Sequence, residues 1–210
     1  MFERSSARRA LLAAGLGLAA TGLPRLASAG AQQEEPLIDA VRSALSAAIA
    51  NGAPPKPRFD NIDARLAYLR WLGVMSERLK PRKTEAMTRI EFLETLWYES
   101  KRAGLDPALV LGLVEVESGF RKYAISIAGA RGYMQVMPFW ARSIGDGEPS
   151  RLFHMQTNLR FGCVILRHYL DIERGDMFMA LGRYNGSRGR PEYPNAVFAN
   201  RRKWLMPGEQ

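Results

Sequence analysis

Glu117 is the residue best placed to do chemistry. It follows a stretch, Ala108 to Val114, in which every position is apolar or glycine. On a helix, Val110, Leu113 and Val114 precede it by seven, four and three residues and share its face. Glu115 points about 200° away around the axis. Burial among apolar groups disfavours the carboxylate, and so does the negative end of a helix dipole. Both effects push the pKa upward. A carboxylic acid kept protonated near neutral pH is what a general acid needs to protonate a glycosidic oxygen. The competing reading of this residue is a structural glutamate paired with a nearby arginine. Other chemistries find less support. His154 and His168 stand 14 positions apart with no cysteine or carboxylate at ligand spacing, so no metal is assigned. No Ser/His/Asp order or phosphate-cradling glycine loop stands out. The lone Cys163 excludes a disulfide scaffold.

The elements that must position Glu117 are helical. Asp106 reads as an N-cap and Pro107 as the first helical residue, giving a helix over 107–118 that is apolar all round and therefore central. Before it, Thr88 and Glu91 have capping-box spacing; Ile90, Leu93 and Trp97 form a buried stripe, and Gly104 ends that helix. After it, residues 120–137 lose helical periodicity. Pro138 starts a short helix to Ile144. Leu159, Cys163, Leu166 and Leu170 recur at helical spacing, which makes Cys163 a core residue. Residues 177–184 and 194–204 read as two further helices. Upstream, residues 36–50 carry a helical stripe, 52–57 read as a linker, and Ile62, Leu66, Leu69, Leu72 and Met75 share a broad face of a helix over 61–79. No convincing alternating strand occurs, so the fold class is mainly α.

Length and charge bound the partners. At 210 residues the chain suits one domain with an appendage. Residues 1–29 read as an export signal: Arg4, Arg8 and Arg9 precede an uncharged stretch from Ala10 to Leu23, and Ala27-Ser28-Ala29 fits signal peptidase. The Arg8-Arg9 pair leaves Sec and Tat export undecided. No cysteine follows the signal, which argues against a lipid anchor, and no stable membrane insertion is expected after cleavage. Removing four Arg and one Glu lowers the net charge from +9 to +6. A basic exported protein suits an anionic polymer such as a carboxylate-bearing cell wall; export argues against nucleic acid. The expected location is the periplasm.

Around Glu117 the residues fall into an ordered series. Glu117-Ser118-Gly119-Phe120 is followed by Ala124, Ser126 and Gly129-Ala130-Arg131-Gly132-Tyr133-Met134-Gln135, then Met137-Pro138, Asn158, Gly162, Tyr184-Asn185 and Tyr193-Pro194. This series resembles the soluble lytic transglycosylases (SLT domain) of the lysozyme-like superfamily, over about residues 88–205. The resemblance implies a lysozyme-like catalytic domain; residues 30–87 carry no part of it and read as a helical extension and linker. It implies cleavage of the β-1,4 bond between N-acetylmuramic acid and N-acetylglucosamine in peptidoglycan, without added water and without a cofactor. Glu117 matches the single acid/base. Ser118 matches the residue beside it, Met134 and Gln135 the pair lining the cleft, and Tyr184 and Asn185 a pair whose phenol hydrogen-bonds the acid. Tyr193 is a further cleft candidate.

The series departs from the family pattern at Tyr133, Arg183 and Gly186-Ser187. Tyr133 would widen an aromatic wall and Arg183 would reach a peptide carboxylate. Two rivals stay open: a hydrolytic muramidase using Asp146, Glu148 or another carboxylate, and a non-catalytic wall-binding assembly protein. The small size further suggests a role in opening the wall for a secretion or conjugation complex, with residues 30–87 as the docking part. The charge at Arg201-Arg202-Lys203 reads as a solvated helix face.

Overall fold

The computed structural model describes Gln32, Glu34, Leu37 and residues 39–50 and 57–208. Residues 1–29, read as an export signal, and most of the linker read at 52–57 fall outside the described residues. Among the described residues eight α-helices follow in order: α1 (Asp39–Ala50), α2 (Ile62–Leu79), α3 (Ala86–Arg102), α4 (Pro107–Ser118), α5 (Pro138–Ile144), α6 (Met155–Ile172), α7 (Met177–Asn185) and α8 (Glu192–Arg201). Short 3-10 turns cover Pro149–Phe153 and Arg202–Trp204. Among the described residues the only extended pairing is two isolated bridges, Ile125 with Arg131 and Arg131 with Val136. The protein is mainly α, as its periodicity predicts.

Helix α4 is the hub. The Asp106 side chain accepts from the Ala108 amide at 2.9 Å, Pro107 needs no donor partner, and Gly119 closes the far end with φ at 56°. Val110, Leu111, Leu113 and Val114 are all fully buried, so apolar character on every side matches burial on every side. Its most extensive neighbour is α8, with α3 packed alongside. The α4–α8 approach depends on Gly112. A Cβ there would lie 2.6 Å from the Arg201 amide nitrogen and 3.0 Å from the Val197 carbonyl oxygen.

Helix α6 supports the other side. Arg160 donates twice to one oxygen of Glu99, at 2.9 and 2.8 Å, while Arg102 binds the other oxygen at 3.1 Å. This nearly dry cluster locks α3 to α6. Arg160 also reaches the Ile49 carbonyl and Arg102 the Ala48 carbonyl, so both cap the C-terminal end of α1. Cys163 is fully buried in the same core.

Three details differ from the sequence expectations. The N-cap of α3 is Glu85, whose carboxylate accepts from the Met87 amide at 2.8 Å and from the Thr88 amide. The Thr88–Glu91 box does not form, because a carboxylate in position satisfies those donors first. On α2 the packed side is Tyr68, Met75, Ser76 and Leu79. Ile62, Leu66 and Leu69 are exposed, at 64%, 44% and 48%. The chain approaches α2 from one side only, so its apolar arc is wider than its contact. Finally, Arg201 and Lys203 are not simply solvated. Arg201 pairs with Asp106 at 2.6 Å and Lys203 with Glu115 at 3.2 Å, which ties the chain end to α4.

Residues 62–85 share the main core. Met75 and Leu79 are fully buried in it, and buried Arg89 holds the turn after α2 through Ser76, Lys83 and Thr84. Replacing Gly112 by Ala should force α4 and α8 apart and cost about 1–3 kcal/mol. Thermal unfolding should then fall by roughly 2–4 °C for each kcal/mol lost. An unchanged melting temperature would show that the contact is loose.

Candidate active site

Glu117 sits one residue before the end of α4, 5% exposed, on the side its sequence spacing assigns. One carboxyl oxygen, Oε1, accepts a short hydrogen bond from the Tyr193 hydroxyl on α8. The other, Oε2, is buried and has no hydrogen-bond partner. No ion pair among the described residues involves this carboxyl, so the arginine-paired reading does not describe it. Its pKa is pushed up to about 8, chiefly because burial penalises the charged form; the Tyr193 bond acts against that shift. Glu115 faces the other way. It accepts from Arg82 at 3.1 Å, Lys203 at 3.2 Å and the Trp204 indole at 2.9 Å.

The two tyrosines exchange the parts that the resemblance implies. Tyr184 does not hydrogen-bond Glu117. Its hydroxyl donates to the Met134 carbonyl at 2.7 Å. Tyr193, the further cleft candidate, holds the acid instead. The reason is the close packing of α8 on α4, which lays the Tyr193 phenol over the end of the helix. Tyr184 stays near enough for the Glu117 charge to raise its pKa, behind the larger effect of burial.

The remaining candidates shape the segment between α4 and α5. Ser118 donates to the Tyr133 carbonyl at 2.7 Å and to the Val114 carbonyl at 3.2 Å, so its hydroxyl is committed to backbone. Gln135 has a left-handed φ of 48°, and its amide donates to the carbonyls of Gly132 at 2.8 Å and Ala124 at 3.1 Å. Met134 is fully buried, and its thioether rests on Gly162 of α6, where any Cβ would clash. Asn185 donates to the Ser187 hydroxyl at 3.0 Å, while its Oδ1 is buried without a partner. Glu117, Tyr184 and Tyr193 come together; Ser118, Met134 and Gln135 support them from behind.

Sequence reasoning gave Asn158 no role, yet it fixes this segment. Its amide accepts from the Met134 backbone nitrogen and donates to the Arg131 and Leu152 carbonyls, each at 2.8 Å. The available signal was a polar residue beside Leu159 at the start of an amphipathic helix. Two expected roles are corrected. Tyr133 packs on Phe92, with ring centroids 4.9 Å apart, and its hydroxyl takes a hydrogen bond from Lys83 at 2.7 Å, so it is core and not wall. Arg183 is held by Glu173 at 2.8 Å. Asp146, one of the carboxylates named for a hydrolytic rival, is bound to Arg151 on an exposed turn. Among the described residues no group of three or more His, Cys, Asp and Glu could hold a metal ion.

A model of the Transglycosylase SLT domain matches residues 95–206, over half of the chain. The chain belongs to this family. Membrane-bound lytic murein transglycosylase C of Actinobacillus pleuropneumoniae (serotype 5b, strain L20) is 39% identical over 84 residues, covering 36% of this chain and 23% of that protein. A transglycosylase of Enterobacteria phage PRD1 is 33% identical over 118 residues, covering 53% of this chain and 43% of the phage protein. This chain therefore spans less than half the length of these relatives. The X-ray structure of an inactive mutant of the lytic transglycosylase Slt from Pseudomonas aeruginosa aligns at 23% identity and a TM-score of 0.43, over 67% of this chain and 27% of that one.

The raised pKa has a measurable sign. Below pH 4.5 the Glu117 carboxyl is protonated whether the chain is folded or not. Between about 4.5 and 8 the unfolded chain loses this proton and the folded one keeps it, so stability falls as pH rises. Each unit of displacement is worth about 1.4 kcal/mol. Replacing Glu117 by Gln should remove that loss. Urea unfolding should show the variant gaining on the parent between pH 5 and pH 8, by on the order of 1 kcal/mol or more. Equal pH dependence in the two proteins would mean that Glu117 is not held protonated.

Proposed function

We propose that this protein is a peptidoglycan lytic transglycosylase in which Glu117 is the single general acid and base. The observation that carries the reading is a buried, unpaired carboxyl on a hub helix, with one oxygen fixed by Tyr193 and the other left for a ligand. Protonated Glu117 gives its proton to the glycosidic oxygen between N-acetylmuramic acid and N-acetylglucosamine. That C–O bond breaks as the acetamido oxygen of the muramic residue supports C1. The resulting carboxylate then takes the proton of the C6 hydroxyl, whose oxygen bonds to C1 and closes a 1,6-anhydro ring. Proton and bond counts balance with no water consumed. An internal hydroxyl competes well because its effective concentration far exceeds that of a free nucleophile. Hydrolytic enzymes of the usual kind hold a second carboxylate about 5–9.5 Å from the first. Burial and Tyr193 are the influences on Glu117 ionisation, with no carboxylate among them, which supports the one-acid route.

In this reading Tyr193 positions the acid. Tyr184, Asn185, Ser118, Met134 and Gln135 form the binding surface and its supports. The catalytic unit is residues 88–205, the export signal is residues 1–29, and the enzyme works in the periplasm on glycan strands without a cofactor. The extension at 30–87, whose residues 62–85 also pack on the main core, serves a partner through its outer face, a secretion or conjugation complex that needs a local opening in the wall. The exposed Ile62, Leu66 and Leu69, which the core does not use, support that assignment.

Digestion of purified sacculi followed by mass analysis tests the reaction. Anhydro ends are expected; reducing ends would replace this reading with hydrolysis. Replacing Glu117 by Gln should lower the rate at least about a hundredfold. Activity should decline as pH rises through about 8, where the acid loses its proton. Undiminished lysis by the Gln variant would remove Glu117 from the mechanism.

A further inference from the structure

We infer that the outward face of residues 121–131 is a lipid-contact surface. Tyr123, Ile125 and Ile127 enter the headgroup boundary of an anionic phospholipid bilayer, and Arg121, Lys122 and Arg131 meet its phosphates. The inference goes beyond the glycan-cleaving reading and does not rest on it.

The face is made by alternation. Tyr123, Ile125 and Ile127 are exposed, while Ala124 and Ser126 between them are half-buried. The bridge of Ile125 to Arg131 gives the run an extended pitch, on which successive side chains take opposite sides. The inward side is fixed by hydrogen bonds. The Ala124 carbonyl accepts from the Gly132 amide at 2.9 Å, the Ser126 amide donates to the Ala130 carbonyl at 3.0 Å, and the Ser126 hydroxyl accepts from the Ala130 amide at 3.1 Å. Exposure of the other side is therefore built in. Tyr123 is 71%, Ile125 65% and Ile127 106% exposed, so no neighbour covers Ile127 at all. Side chains that project in this way need their whole enclosure from the other surface. A fluid headgroup layer supplies it without a matched shape, whereas a protein partner would need a fitted pocket.

The cations select the kind of lipid. No Asp or Glu occurs between Glu117 and Asp146. Among the described residues Arg121, Lys122 and Arg131 form no ion pair with a carboxylate. Arg121 Nε donates to the Ser118 carbonyl at 2.9 Å. Lys122 Nζ lies 5.3 Å from the Tyr123 ring centre, and the Arg131 guanidinium 5.5 Å from that of Phe153, which itself stands 5.9 Å from Tyr123. Positive charge set among rings and aliphatic side chains, and not neutralised within the protein, complements an anionic headgroup layer. A neutral bilayer would leave that charge unanswered. The contact is reversible, since three side chains reach only the boundary and no described helix is long and apolar enough to cross a membrane.

The test is cosedimentation of the exported chain, residues 30–210, with vesicles of phosphatidylglycerol and phosphatidylcholine in equal parts, and with phosphatidylcholine alone. Binding is expected to the first and not to the second, and should weaken as salt shortens the reach of the charges. Ile125→Ser combined with Ile127→Ser should weaken it at least about tenfold, the scale of two aliphatic side chains withdrawn from an apolar boundary. Lys122→Gln should weaken it about fivefold. All three side chains are exposed, so the melting temperature should hold. A second measurement places the contact. A polarity-sensitive dye on Ile127→Cys, with buried Cys163 left unlabelled, should shift its emission to the blue on the anionic vesicles. The same dye on Ile172→Cys, at the far end of α6, should not respond. Binding that the double serine variant retains, or an equal response at both dye positions, overturns the face. So does a parent that binds no vesicles; if the double variant then loses its hold on lipid-free sacculi, the face belongs to the glycan. Lysis of lipid-free sacculi should be equal in parent and double variant, so the enzyme reading is judged apart from this one.

Discussion

A single ionisable group in an apolar place sets the terms for this fold. Leaving a carboxyl unpaired inside a protein is tolerable only if it stays neutral. That demands enclosure on every side, and enclosure demands a helix with no polar face. Helix α4 meets the demand with Val110, Leu111, Leu113 and Val114 buried all round, and with Gly112 letting α8 come to backbone contact. The same contact delivers Tyr193. Its bond to Glu117 pulls against burial, so it tunes the carboxyl as well as fixing its orientation. Charge is dealt with elsewhere: Glu115, two positions away, collects Arg82 and Lys203 on the outer side.

Around this centre, polar side chains serve mainly to fix backbone. Ser118, Gln135, Tyr184 and Asn158 all direct hydrogen bonds at carbonyls or amides of residues 114–152. The segment between α4 and α5 has almost no regular pairing of its own, and its shape is borrowed from these side chains. Preorganisation of this kind keeps a reacting group in place without large motions of its neighbours.

Much of this was legible in the sequence. The bounds of α4 follow from Asp106, Pro107 and Gly119, and α5 begins and ends at Pro138 and Ile144 as read. The identity of the buried acid follows from three side chains on one helical face. Local signals failed where the outcome depended on distant chain. Which phenol reaches Glu117 is decided by α8, 76 positions downstream, and nothing in the Tyr184-Asn185 dipeptide encodes that approach. The α3 cap failed for a smaller reason: Thr88 and Glu91 have suitable spacing, but Glu85 is three residues nearer the turn. The apolar arc of α2 predicted a buried face, and the neighbours cover only part of it.

Cys163 gives the molecule an unplanned gauge. Its sulfur is fully enclosed, and burial lifts the thiol far above its ordinary ionisation range. The nucleophilic thiolate is therefore all but missing from the folded state. Alkylating reagents and peroxide can meet this sulfur only in chains that have opened globally. The rate at which the lone thiol is labelled is thus a clock for how often the whole helical assembly comes apart.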